Sequence, residues 1–298
     1  VIWIPVTLVA TVLQTARTAM QQRLRSLLSV SAAGFVRYAF GAPIAIAAVV
    51  LTFTVLRQSV PDIPWRFWPI VAAAGVGQIL GTAALITAFD KRDFAIGTVY
   101  AKSEVIQVAV LSAVFLDEWL APLGWLSAIV CIVGVVGLAR PPGMPLRSLL
   151  RLGDPAALAG VAAGGLFAIA SVGIRAASTS LGDAPVVVRA LLTLAVMNTI
   201  QTVVNGTQLA WKQPDQLRLS FVHWRSSAVV GVLSVLGSAA WAIAMTLENA
   251  AKVRTLGQVE LLLAFAVSHR VFADHHRRSE IAFSALVMTG VIGVTVLG

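Results

Sequence analysis

Apolar positions run along this chain in long unbroken blocks, broken by short stretches that hold most of its charge. The blocks fall at approximately 2–22, 31–56, 67–89, 94–116 and 122–139, then at 155–176, 184–209, 221–247, 250–272 and 279–297. A helix needs roughly 20 consecutive apolar residues to cross a bilayer. Backbone groups in lipid must be satisfied within their own segment, and a membrane β-barrel would show short alternating strands instead. The pattern therefore predicts an all-α membrane protein with ten transmembrane helices. Between the fifth and sixth blocks lies RPPGMPLRSLLRLGDP, whose prolines, glycines and arginines make it the clearest linker. It divides the chain into a first five-helix segment, 1–139, a linker, 140–154, and a second five-helix segment, 155–298.

Composition strengthens this picture. Apolar residues make up 58% of the chain and charged residues 12%, with a mean hydropathy of +0.87, where a soluble domain carries about 25% charge. The formal charge of +9 could suggest nucleic acid, but the cations are scattered over the connections and form no stripe interleaved with aromatics, so no nucleic-acid partner is expected. Membrane topology accounts for them better. Trp3, Trp65, Trp68, Trp119, Trp211 and Trp224 lie near block ends, as interfacial rings do. Gly77 with Gly81, and Gly160 with Gly164, mark close helix packing. The single Cys131 lies in an apolar block and is expected to pack there. The first block lacks a basic leader and a cleavage site, so it reads as a spanning helix.

The two segments repeat each other. At an offset of about 156 residues, Gly75, Gly81, Ala83, Ala84 and Ala88 fall on Gly231, Gly237, Ala239, Ala240 and Ala244. Glu104 falls on Glu260, Ser112 on Ser268, and Gly134 and Gly137 on Gly290 and Gly293. At about 152, Arg23 meets Arg175 and Arg37 meets Arg189. Small-residue matches are cheap in so biased a composition, whereas matched ionisable residues inside apolar blocks are not. An odd number of spans per segment makes the second enter from the opposite side, which predicts two inverted five-helix repeats. That is the usual architecture of alternating-access carriers, with the substrate site near the midplane between repeats.

FLDEWLAPLGWLSAIVCIVGVVGLA (115–139) combines the end of an apolar helix, an acidic turn with Glu118, a proline re-entry and a glycine-rich last helix. VFADHHRRSEIAFSALVMTGVIGVTVL (271–297) is a more diverged copy, with Asp274 where Glu118 stands. These segments resemble the end of an EamA-type repeat, and the resemblance, which covers essentially the whole chain, points to the drug/metabolite transporter (DMT) superfamily. It implies a central cavity lined by the fourth and ninth helices, here carrying Lys102 with Glu104 and Gln258 with Glu260. It also implies cytoplasmic termini.

A residue ten positions into a helix lies about 15 Å deep, so Glu104 should sit near the bilayer centre. A charge there is costly and should face a wet cavity or a partner. In a regular helix Tyr100, Glu104 and Gln107 share a face while Lys102 points away from Glu104. In the ninth block Arg254 stands at the start, Gln258 one turn on and Glu260 near mid-depth. Tyr100, Lys102, Glu104, Gln107, Gln258, Glu260, Arg37 and Arg189 are thus the candidate substrate-binding residues, with Glu104 and Glu260 the candidates for a coupling proton. The competing reading has each arginine paired with a glutamate of a neighbouring helix, locking the bundle. A third has the arginines reaching toward headgroups; Arg17, in the first block with Gln14, either joins the cavity or reaches the interface, and His269 and Arg270 near the end of the ninth either contact headgroups or form a gate. Asp274, His275 and His276 form an acid-histidine cluster in a charged turn, too small a ligand set to predict a metal. No GxxxxGK[ST] loop is present, so energy should come from a gradient. No catalytic residue and no cofactor are expected.

The functional expectation is a secondary transporter in a bacterial inner membrane. It would move a small polar metabolite, an amino acid or similar, outward by alternating access, as a monomer in membrane lipid. The rival is an integral membrane enzyme acting on a lipid-linked substrate, which would need convergent acid, base or metal groups at headgroup level. Orientation stays open. Arg23, Arg25, Lys91, Arg92, Arg140, Arg147, Arg151, Lys212, Arg218, Arg225, Arg277 and Arg278 fall on one side of the predicted topology. Arg57, Arg66, Arg175, Lys252 and Arg254 fall on the other. The positive-inside rule then puts both termini outside, against the family resemblance.

Overall fold

The structure, a computed structural model, describes residues 1–91, 99–139, 155–262 and 278–298. Every regular element among the described residues is a helix: α1 (Trp3–Leu24), α2 (Val30–Ala39), α3 (Ala42–Thr54), α4 (Phe67–Lys91), α5 (Glu104–Leu116), α6 (Pro122–Ala139), α7 (Pro155–Thr179), α8 (Val186–Lys212), α9 (Pro214–Val222), α10 (Trp224–Leu247), α11 (Ala250–Gly257) and α12 (Arg278–Leu297). Among the described residues, seven helical stretches are long and apolar enough to cross a membrane: Val30–Thr54, Phe67–Thr87, Val99–Leu116, Pro122–Ala139, Pro155–Thr179, Val186–Lys212 and Trp224–Leu247. They coincide with seven of the ten expected spans. Of the remaining three, α1 has the length but carries Gln14, Arg17, Gln21 and Gln22 in 22 residues. Ile281–Leu297 is apolar but shorter. The ninth span lies partly outside the described residues.

Two local departures have plain causes. The second span divides into α2 and α3 because Pro43, near the start of α3, has no N–H to continue the ladder. The stretch between the seventh and eighth spans, expected to be a simple connection, forms α9. Pro214 supplies a preset φ at the helix start and Asp215 a charge suited to that end.

The chain forms two compact units, Val1–Val76 with Gly173–Glu248, and Gly77–Val172 with Asn249–Gly298. Each therefore draws on both sequence segments. In the first, α1 lies along α10, with the Trp241 indole N–H donating to Gln14 Oε1 at 3.1 Å. A Cβ at Gly237 would stand 3.4 Å from Leu13 Cβ. Ala45 and Val49 of α3 pack with Leu194, Ala195 and Val235. Phe67, Val71, Ala74, Ala177, Leu181 and Met197 form a second cluster. Arg175 closes the end of α10, its Nη1 donating to the carbonyls of Met245 at 2.9 Å and Thr246 at 3.1 Å. Those carbonyls have no intrahelical donor and sit at the negative end of the helix dipole. Replacing Arg175 with methionine, which keeps much of the apolar stem, is expected to lower stability by about 2 kcal/mol in thermal or denaturant unfolding.

In the second unit α6 and α12 form the most extensive contact. A Cβ on Gly134 would stand 2.6 Å from Val287 N, and one on Gly290 2.6 Å from Cys131 Cα. Gly137 abuts the Phe283 ring and Gly293 the Ser127 side chain. Gly77 and Gly81 of α4 admit Leu166, Phe167 and Ile169 of α7, which is the packing use that their spacing suggested. Val108, Ala109, Leu120, Ala168, Val172, Ala250 and Ala251 join α5, α7 and α11 in one cluster.

Candidate functional site

The fourth span is not a regular helix through its polar centre. Lys102 N–H bonds to Val99 O at 3.2 Å, Ser103 N–H to Tyr100 O at 3.1 Å and Val105 N–H to Lys102 O at 3.4 Å. These are i to i−3 bonds, the tight turn of a 3₁₀ segment inside an α-helical run. Ser103 stabilises the turn by donating its hydroxyl to Tyr100 O at 2.6 Å, a back-bond that competes with the α ladder. The ninth span does the same at the corresponding positions. Gln258 N–H bonds to Thr255 O and Leu261 N–H to Gln258 O, both at 3.0 Å. The Gln258 side-chain amide donates to the Arg254 carbonyl at 3.3 Å. The shared-face argument for Tyr100, Glu104 and Gln107 assumed an unbroken α-helix, and the tight turn between Tyr100 and Glu104 corrects it.

Two ion pairs form around these turns. The Arg254 guanidinium meets the Glu104 carboxylate, and Lys102 Nζ lies 3.6 Å from Glu260 Oε1. Each glutamate thus takes its cation from the other half of the sequence. The two cations are about equally exposed, Arg254 at 18% and Lys102 at 19%, but the Glu104 side chain is 9% exposed and that of Glu260 29%, so the second pair is looser and its carboxylate wetter. Lys102 and Glu104 do not pair with each other within the helix, as the spacing predicted.

Gln107 turns toward α7, its Nε2 donating to Ser103 Oγ at 2.8 Å and to Val161 O at 3.2 Å. Gly164 and Gly165 make this approach possible. A Cβ on Gly164 would stand 3.0 Å from Ala101 O, Glu104 N and Ser103 Oγ, and one on Gly165 would stand 2.6 Å from Gln107 Oε1. Asn249 ties the start of α11 to the acidic turn after α5: its Oδ1 accepts from Ala251 N at 2.7 Å and its Nδ2 donates to Glu118 O at 3.2 Å. Asp117 of that turn adopts a left-handed conformation, φ 55°.

Tyr100, Lys102, Glu104, Gln107, Gln258 and Glu260 therefore come together in one compact unit, and Arg37 and Arg189 belong to the other. Arg37 is buried, with its guanidinium carbon 5.2 Å from the Tyr38 ring centroid. The Nε atoms of Arg37 and Arg189 are buried without a hydrogen-bond partner. Sequence reasoning noted Arg254 but left it out of the site, because it stands at the start of its span, where a snorkelling arginine is unremarkable. Ser103 and Asn249 gave no signal beyond their capping propensity. The Asp274, His275 and His276 cluster lies outside the described residues, as do His269 and Arg270.

Comparison with known proteins agrees with this architecture. A search of curated proteins found no matching relative. A solved structure described as "Crystal structure of protein" superposes with a TM-score of 0.73 at 16% identity, covering 99% of this chain and 96% of its own. At that identity the likeness shows a shared fold. The pattern that defines the EamA-like transporter family matches residues 1–140. That match, with the helical, multi-span architecture of the described residues, supports membership of the EamA type of the drug/metabolite transporter superfamily.

Proposed function

We propose that the chain is a secondary active transporter of ten spans in two inverted five-helix repeats, 1–139 and 155–298 about the linker 140–154. As a monomer it carries a small polar metabolite, an amino acid or similar, outward across a bacterial inner membrane by alternating access. The observation that carries the reading is the pair of ion pairs that join the two halves at their matched tight turns, Arg254 with Glu104 and Lys102 with Glu260. Buried charge inside a membrane protein is retained where it serves a pathway or a switch. Two cations and two anions leave these four side chains neutral, which suits an occupant that carries both signs and adds no net charge. A zwitterion can exchange partners with both pairs, its ammonium at a glutamate and its carboxylate at Lys102 or Arg254.

Tyr100, Gln107 and Gln258 are the further substrate-binding residues proposed in the same unit, Arg37 and Arg189 those proposed in the other unit, and Glu104 and Glu260 are the residues proposed to take a coupling proton. Support for the inverted repeat comes from the reciprocal contacts of α6 and α12. Gly134 meets Val287 and Gly290 meets Cys131; Gly137 meets Phe283 and Gly293 meets Ser127. Each second contact is the first transposed by the repeat offset of about 156 residues, as a twofold relation requires.

The test is counterflow in proteoliposomes against a panel of amino acids, sugars and cationic dyes, with and without a pH gradient. The expected result is accumulation of a zwitterionic amino acid, reduced at least about tenfold by Glu104→Gln in protein that remains folded. Accumulation of dyes alone, or full activity in the folded variant, overturns the reading. A lipid-hydrolysis assay on the same preparation tests the enzyme alternative.

A further inference from the structure

We propose that α9 and the ends of the helices around it form a docking surface for anionic phospholipid headgroups. Trp211, Phe221, Val222 and Trp224 of this region are 87%, 54%, 59% and 56% exposed. Lys212, Arg218 and Arg225 beside them are exposed, as are Arg23 and Arg25 at the end of α1.

The short helix is held firmly in place. Ser29 donates its backbone N–H to Gln216 Oε1 and its hydroxyl to Gln213 Oε1, both at 2.7 Å. Ser227 donates its hydroxyl to Ser220 O at 2.8 Å. Leu217 and Leu219 pack against a core of Leu24, Leu28, Phe35, Leu209 and Val230. With the opposite side of α9 turned inward, the cations and rings that remain exposed form one ledge.

Charge commits the occupant. The ledge sets Arg23, Arg25, Lys212, Arg218 and Arg225 against the single acid Asp215. The connections and helix ends at the other end of the same unit set Arg57, Arg66 and Arg175 against Asp62, Asp183 and Glu248. That excess of cations suits a leaflet that carries anionic lipid. Exposed tryptophans and a phenylalanine suit the boundary between headgroups and acyl chains. Arg225 lies with its guanidinium carbon 5.7 Å from the Trp224 ring centroid, so this cation is drawn in beside an interfacial ring.

The experiment uses the full chain in vesicles of phosphatidylcholine with about one third phosphatidylglycerol. Protein is extracted in mild detergent and the retained phospholipids are quantified by mass spectrometry. The retained pool is expected to be enriched in phosphatidylglycerol about fivefold over the vesicle, and the enrichment is expected to fall as salt is raised. The triple variant Arg23→Gln, Arg218→Gln, Arg225→Gln is expected to lose most of it. The control pair Arg57→Gln, Arg66→Gln at the opposite end is expected to keep it. If the triple variant does not fold, the exposed single change Arg218→Gln carries the test, with an expected loss of about one third or more. Equal retention of the two lipids, unchanged enrichment in the folded ledge variant, or an equal loss in the control pair overturns the proposal.

Discussion

Arg254→Gln is expected to destabilise the protein by about 3 kcal/mol or more, the range measured when one partner of a buried ion pair is removed. The cost comes from Glu104. Its residue is 7% exposed, and without the guanidinium it is left as an uncompensated charge in a low-dielectric setting. The double variant Glu104→Gln, Arg254→Gln should recover much of that loss, since two neutral amides of similar shape can satisfy each other. A double-mutant cycle in thermal or denaturant unfolding isolates the coupling. The Lys102–Glu260 pair provides the internal comparison. At 3.6 Å and with both side chains partly exposed, its coupling should fall below about 1 kcal/mol. Equal stability of Arg254→Gln and the parent, or a coupling at Arg254–Glu104 no larger than at Lys102–Glu260, would remove the buried pair from the account.

A still larger loss is expected from Gly290→Leu or Gly134→Leu. The new Cβ would fall on backbone, at 2.6 Å from Cys131 Cα in the first case and from Val287 N in the second. Backbone cannot rotate aside as a side chain can, so α6 and α12 must separate along their contact. Lipid offers no hydrophobic force to drive them back together, because association inside a membrane rests on close packing. Both variants should yield little or no monodisperse protein on size-exclusion chromatography. Gly34→Ala is the matching control: a Cβ there meets nothing within 4 Å, and removing a glycine from the interior of α2 should stabilise it by about 0.5 kcal/mol. Near-parental yield of Gly290→Leu would show that the glycine contacts do not hold this pair of helices.

The two expectations differ in how much of each was legible in the sequence. Gly134, Gly137, Gly290 and Gly293 were visible as a repeated small-residue pattern, and what each admits was not. Nothing in a glycine names the Phe283 ring or the Cys131 backbone that fills its space. Glu104 and Glu260 stood out because a charge in an apolar run is expensive wherever the chain goes. Their partners did not, since pairing depends on how helices remote in sequence are set side by side. Lys102 was read as pointing away from Glu104, and it does, toward Glu260. Arg254 looked like an interfacial arginine and became the partner of the buried Glu104.

What the sequence determined by itself was therefore the one-dimensional part: a helical membrane protein with apolar blocks long enough to cross, seven of which are such helices among the described residues. It also gave the positions where ionisable groups interrupt the apolar runs. These follow from local constraints, the internal satisfaction of backbone groups in lipid and the cost of charge there. Tertiary structure alone decided the tight turns at Lys102 and Gln258, the choice of Arg254 over other cations, and the docking of α9 by Ser29. The last two depend on distances of a few ångströms between residues far apart in the chain, and those distances are fixed only when the helices pack.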